Sequence, residues 1–223
     1  MTDFARVRRA MVDNQLRTYD ITDIEVLSAM NQVPRELFVP KGREMLAYSD
    51  QPLVVGDAGT EGPRVMLAPM VLARLLQNLQ VGPGTRVLDL AGGLGYSAAV
   101  MASMGARVVA LESSEALADQ ARQNLARLGH PDVEVVVGPL KHGAPDKAPF
   151  DVILINGTIQ QRPDAVLDQL VDEGRLGCIE GPGNRASRAT LYVRAGKIYS
   201  SRPLFDAAAP VLTPFRDEPG FVF

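Results

Sequence analysis

Arg86-Val-Leu-Asp-Leu-Ala-Gly-Gly-Leu-Gly-Tyr-Ser-Ala-Ala-Val100 is the stretch whose reading decides the fold. Its apolar run, Val87 to Leu90 with Asp89 inside it, is short and bounded, as a buried parallel strand is. Gly92, Gly93 and Gly95 let the backbone turn sharply and come close to a ligand, because no Cβ stands in the way. Ala98 and Ala99 then allow a helix to pack tightly on the strand. A second strand, Arg107 to Leu111, ends at Glu112. That acid lies about 20 residues past the glycines, where a nucleotide-binding fold places the carboxylate that accepts from ribose hydroxyls. Strand, glycine turn, helix, strand and acid in register predict a site for a nucleoside-containing ligand.

Charge narrows the ligand. Gly93-Leu-Gly95-Tyr-Ser-Ala98 fits the dinucleotide pattern G-x-G-x-x-A. Asp89, just before the turn, opposes a pyrophosphate and suits a cation. S-adenosyl-L-methionine carries a sulfonium and an ammonium group and no phosphate. The residues favour it, with a nicotinamide dinucleotide as the alternative left open.

Downstream of the turn, strands and helices alternate. A helix is predicted from Ser114 to Leu128, a strand over Val133 to Val137, and another over Asp151 to Ile155 running into Asn156. A helix over Pro163 to Leu170 and a strand over Arg175 to Glu180 follow. Ala189 to Arg194 and Lys197 to Ser200, joined at Ala195-Gly196, read as a hairpin. The expected fold is α/β: a doubly wound, mostly parallel, Rossmann-like sheet with an antiparallel C-terminal edge. Ligands of such sheets bind at the carboxyl ends of the strands.

Upstream lies a helical extension. Phe4, Val7 and Met11 stand at helical spacing, and Thr22-Asp-Ile-Glu25 fits a capping box ahead of Val26, Leu27 and Met30. Val33 to Pro40 is expected as an extended connector. The turn-rich loop Asp57 to Arg64 is expected on the surface, and a third helix runs from Met66 to Leu79. The organisation expected is one domain over 1–223, an extension at 1–80 preceding a cofactor-binding core at 81–223.

Composition excludes several classes. With 223 residues, 46% hydrophobic and 22% charged, the chain is ordinary for a globular protein. A net charge of −3 lacks the basic excess of a general nucleic-acid binder. The single Cys178 excludes an intrachain disulfide and suits a reducing compartment, so the cytoplasm is the expected location. Two histidines with no Cys or acid at ligand spacing predict no metal site. No stretch approaches the roughly 18 apolar residues that span a bilayer, and no signal-peptide core is expected.

Several further stretches occur in a fixed order. They are Met11-x-x-x-Gln15, Val26-Leu-x-Ala-Met30, Val33-Pro-Arg35, Phe38-Val-Pro40, Ala47-Tyr48-x-Asp50-x-Pro52-Leu53 and Gly56. With Leu88 to Tyr96, Leu128-Gly129 and Pro149-Phe-Asp151, they resemble the protein-L-isoaspartate O-methyltransferase family over nearly the whole chain. The resemblance implies a class I S-adenosylmethionine-dependent methyltransferase fold. Its implied reaction esterifies the free carboxylate of an isoaspartyl residue in a damaged protein or peptide. It implies a cofactor turn at Asp89, Ala91, Gly92, Gly93, Gly95 and Tyr96, a ribose acceptor at Glu112 and an adenine border at Leu140. Thr60, Gly62 and Asn156 take the catalytic positions.

The chain also departs from that pattern. Where the family reads Gly-Gln-Thr-Ile-Ser, this chain has Ala58-Gly-Thr-Glu-Gly62, so the family serine is Gly62. The first glycine of the cofactor turn is Ala91, and Pro139-Leu140 stand where the family has Asp-Gly. Two alternatives therefore stay open: the same fold and cofactor with a different acceptor, or a weakly active or non-catalytic relative. Nothing in the sequence defines an oligomeric state.

Overall fold

The computed structural model describes residues 2–182 and 187–217. The chain opens with α1 (Phe4–Met11), continued by a π-helical turn over Val12–Leu16. Asp3 caps α1 by accepting from the Arg6 N–H at 3.1 Å. Helix α2 (Ile24–Gln32) begins one residue later than the Thr22 box predicts. Asp23 is its cap, accepting from the Glu25 and Val26 amides at 2.9 and 3.2 Å, while the Thr22 amide donates to Gln77 Oε1 at 2.8 Å. A carboxylate can serve two amides at once and also suits the positive end of the helix dipole. The connector at 33–40 is not extended throughout, since Arg35–Phe38 forms a 3-10 turn between its prolines.

Strands β1 (Leu53–Asp57) and β2 (Pro63–Met66) form an antiparallel hairpin apart from the main sheet. The loop expected at 57–64 is the end of this hairpin. Met66 pairs with Leu53, so α3 (Pro69–Leu79) starts three residues later than its apolar spacing predicts. Leu72, Leu75, Leu76 and Leu79 of α3 are fully buried, each such burial contributing roughly 1.5–3 kcal/mol.

The remaining elements alternate as expected. They are β3 (Arg86–Leu90), α4 (Tyr96–Ser103), β4 (Arg107–Glu112), α5 (Glu115–Arg127), β5 (Glu134–Val137), β6 (Phe150–Ile159), α6 (Asp164–Leu167), β7 (Leu170–Glu180), β8 (Ser187–Ala195) and β9 (Ile198–Ala207). Helix α6 is shorter than predicted because Leu170 pairs with Phe150 and already belongs to the sheet. The strand order is β5-β4-β3-β6-β7-β8-β9. Neighbours from β5 to β7 are parallel, and β7-β8-β9 is the antiparallel edge. This is a Rossmann-like doubly wound sheet. Cys178 is buried in β7, as its apolar neighbours predict.

The order reverses at β3, which has β4 on one side and β6 on the other. Chains leaving such a strand diverge, and their separation opens a crevice. Side chains alternate faces along a strand. Val87, Ala110 and Leu154 pack toward the helical N-terminal layer, whereas Leu88, Leu90, Leu111, Ile153 and Ile155 form a second core on the other face. Asp89 is two residues beyond Val87 and pairs with both Ala110 and Leu154. Glu112 and Asn156 each stand two residues further along those neighbouring strands. Period and register thus bring three polar side chains to one face at the switch point.

Candidate functional site

Asp89 is the centre of this group and is 0% exposed. Ser97 Oγ donates to its Oδ2 at 2.7 Å and Asn156 Nδ2 to its Oδ1 at 2.7 Å. Both donors are neutral. Burial dominates and pushes the Asp89 carboxyl up to about 6; the two hydrogen bonds pull it down, and the charge of Glu112 pushes it further up. Asn156 also donates to the Leu90 carbonyl at 3.1 Å, so it bridges strand end to carboxylate from inside β6.

Glu112 ends β4 and is 3% exposed. Its Oε1 accepts the Gly93 amide at 2.8 Å, and its Oε2 accepts Arg64 Nε at 3.0 Å and the Ser113 amide at 3.1 Å. Burial pushes its pKa up more than the Arg64 charge pulls it down. The Arg64 guanidinium is itself 0% exposed.

The turn between Asp89 and α4 is tight. Ala91 adopts φ +61°, a left-handed conformation that L-residues rarely take, costing on the order of 1–2 kcal/mol. A Cβ on Gly92 would stand 2.6 Å from Asp89 Oδ2. A Cβ on Gly93 would stand 2.9 Å from Val55 Cγ2, because the β1–β2 hairpin lies directly on the turn. Gly95, at φ +94°, caps α4. The side chain of Tyr96 is engaged elsewhere, edge-on to Phe38 at 5.5 Å and beneath the Arg35 guanidinium at 4.6 Å.

The other predicted residues are dispersed around this group. Leu140 is fully buried in the second core, in a 3-10 turn after β5. Thr60 is exposed near the end of the hairpin, in the 3-10 turn Gly59–Glu61. Gly62 has φ +78° and ψ −175°, a region open essentially to glycine alone. A Cβ there would also meet Thr213 Oγ1 at 2.9 Å. The backbone of this hairpin has no place for a serine at 62.

Three side chains escaped the reading of the sequence: Arg64, Ser97 and Ser113. Arg64 carried the one usable signal, a lone cation in the run Pro63-Arg-Val-Met-Leu-Ala68. A cavity of about 490 Å³ lined by Arg86, Arg107, His130 and Phe150 lies elsewhere. It opens at the beginnings of β3, β4 and β6, the end of the sheet opposite Asp89 and Glu112. Among the described residues no group of three or more His, Cys, Asp or Glu is placed to hold a metal ion.

The two carboxylates suit a ligand with vicinal hydroxyls and positive charge. Glu112 offers oxygens to hydroxyls, and Asp89 is a buried carboxylate with no cation against it among the described residues, whose ionised form a cationic ligand would favour. A pyrophosphate would add anions beside two buried acids.

Comparison with known proteins points the same way. The family model described as protein-L-isoaspartate(D-aspartate) O-methyltransferase matches residues 6–198. A protein-L-isoaspartate O-methyltransferase of Methanoculleus marisnigri is 39% identical over 193 residues, 86% of either chain. One from Methylorubrum populi is 40% identical over 202 residues, 91% of this chain and 92% of the relative. A solved protein-L-isoaspartate O-methyltransferase superposes with TM-score 0.80 at 27% identity, covering 92% of this chain and 65% of that longer one. A Plasmodium falciparum structure described as the same enzyme, in complex with S-adenosyl-L-homocysteine, gives TM-score 0.75 at 20% identity over 92% of this chain, a likeness of fold.

Proposed function

The chain belongs to the protein-L-isoaspartate(D-aspartate) O-methyltransferase family, and from that premise we propose that it methylates the free carboxylate of isoaspartyl residues in proteins and peptides. The observation that carries the reading is the pair of buried carboxylates, Asp89 and Glu112, set on either side of the glycine turn at the switch point of the sheet. The cofactor is S-adenosyl-L-methionine, which supplies a methyl group already activated on a sulfonium.

The residues then divide the work. Glu112 accepts from the ribose hydroxyls, and the backbone of Ala91, Gly92, Gly93, Gly95 and Tyr96 lets the ligand approach. Asp89, held in one orientation by Ser97 and Asn156, places negative charge where the cationic part belongs. Leu140 backs the adenine side from within the core. The acceptor carboxylate is ionised near neutral pH, so no general base is required. What the protein must do is align the acceptor and keep water out. Positioning of this kind supplies roughly 7–11 kcal/mol of barrier reduction. We assign that task to the hairpin carrying Thr60 and Gly62, through its backbone rather than a hydroxyl at 62.

A different acceptor, or a non-catalytic relative, finds no support in relatives 39% and 40% identical over most of the chain. We read residues 1–223 as one methyltransferase domain, 1–80 forming the acceptor side and 81–223 the cofactor side. The cytoplasm is the setting we infer from composition and the lone Cys178. Among the described residues no helix is long and apolar enough to cross a membrane. The test is transfer of a radiolabelled methyl group to an isoaspartyl peptide and to its aspartyl isomer. Base-labile label on the first alone supports the reading; label on neither, from protein that binds the cofactor, overturns it.

A further inference from the structure

Glu112 is already occupied by the protein's own arginine. A carboxylate offers about four acceptor sites. Gly93 fills one on Oε1, while Arg64 and Ser113 fill both on Oε2. One site is left, and a ribose diol needs two. The amides of Gly93 and Ser113 belong to backbone immediately around the carboxylate. Arg64 belongs to the hairpin, so it is the donor able to leave.

The same guanidinium holds the end of the hairpin. Its Nη1 donates to the carbonyls of Glu61 and Gly62 at 3.2 and 3.3 Å, and its Nη2 to Glu61 Oε2 at 3.2 Å and to Ser113 Oγ at 2.6 Å. One side chain therefore ties Glu61 and Gly62 to the carboxyl end of β4. Val65 and Met66 root the base of the hairpin in the core, while Thr60 stands exposed. Gly59 and Gly62 both take positive φ, so the segment between them has glycine at each end.

We propose that Arg64 is a latch which competes with the cofactor ribose for Glu112, so that loading the cofactor unties the hairpin end that receives the acceptor. This rests on the proposed function for the identity of the cofactor. Binding is then ordered, with cofactor before acceptor. The cofactor-free protein holds Thr60 and Gly62 in the arrangement seen here, and the loaded protein frees them.

The test uses S-adenosyl-L-homocysteine, which keeps the ribose and the ammonium but has no sulfonium; wild type and Arg64→Gln present the same Asp89 to it, so their difference reports the contact at Glu112. Calorimetry on wild type and Arg64→Gln compares affinities. A hydrogen bond to a charged group is worth about 1.5–3 kcal/mol, so the variant is expected to bind roughly tenfold to a hundredfold more tightly. Hydrogen exchange on wild type, with no substitution, reads the latch directly. The amides of Ala58, Glu61 and Gly62, which donate within the hairpin end, are expected to exchange faster when the ligand is added. In Arg64→Gln they exchange fast with or without it. Unchanged or weaker binding by a folded Arg64→Gln, or slower exchange of these amides in liganded wild type, overturns the latch and leaves the cofactor site standing. Absence of binding to both proteins removes the cofactor assignment, and the latch with it.

Discussion

Replacing Asp89 by Asn tests whether the site holds a carboxylate that pays for its burial. The carboxyl is raised from an ordinary 3.8 to about 6, chiefly by desolvation. Folded protein therefore keeps a proton on Asp89 over a pH range in which the unfolded chain has lost it. The folded state binds more protons there, so stability falls as pH rises from about 4 to about 6 and is flat above. A shift of roughly two units corresponds to about 3 kcal/mol. Asn has the same shape and no charge, and it still offers an oxygen to Asn156. Urea unfolding of both proteins between pH 4 and pH 8, without cofactor, isolates the effect as a difference, since the other titrating groups are common to both. The two should be close in stability near pH 4, with Asp89→Asn ahead by about 3 kcal/mol at pH 7. A difference that does not change with pH would refute the argument from burial.

Three further substitutions probe the same geometry. Gly92→Ala drives a methyl group against Asp89 Oδ2, 2.6 Å away; a melting experiment should show a loss of about 1–3 kcal/mol, and an unchanged melting temperature contradicts the packing. Gly62→Ser forces a side chain into glycine-only backbone and should cost on the order of 1–3 kcal/mol; raised isoaspartyl turnover in this variant would contradict the hairpin geometry. Asn156→Ala removes a donor to Asp89, so at pH 7 urea unfolding should report a loss of about 1.5–3 kcal/mol, shrinking toward pH 4 as the carboxyl becomes protonated. Equal losses at both pH values would mean that Asn156 acts on the Leu90 carbonyl alone.

Much of this was legible before the structure. The sheet announced itself because a parallel strand buried on both faces is a short apolar run, and because Gly95 and Glu112 mark what precedes and follows α4 and β4. The hairpin did not, because Gly56, Gly59, Gly62 and Pro63 read as a loop and the pairing of β1 with β2 carries a register shift between Val54 and Gly56. The start of α2 moved by one residue because two adjacent residues, Thr22 and Asp23, are both able to cap. Asp89 and Glu112 could be singled out from local order alone. Arg64 could not, since its partner lies 48 residues away, and a charge in an apolar run does not say what neutralises it. Asn156 stood out by its position after a strand, but its partner could not be read, since its side chain crosses 67 residues of sequence to reach Asp89.

The most direct test of the cofactor site is a calorimetric titration of the wild-type protein with S-adenosyl-L-methionine, run beside one with NADH. The account predicts saturable binding of S-adenosyl-L-methionine at one site per chain, with a raised melting temperature, and no heat from the dinucleotide. Saturating S-adenosyl-L-methionine that leaves both heat and melting temperature untouched, or tight binding of NADH at this turn, would contradict it.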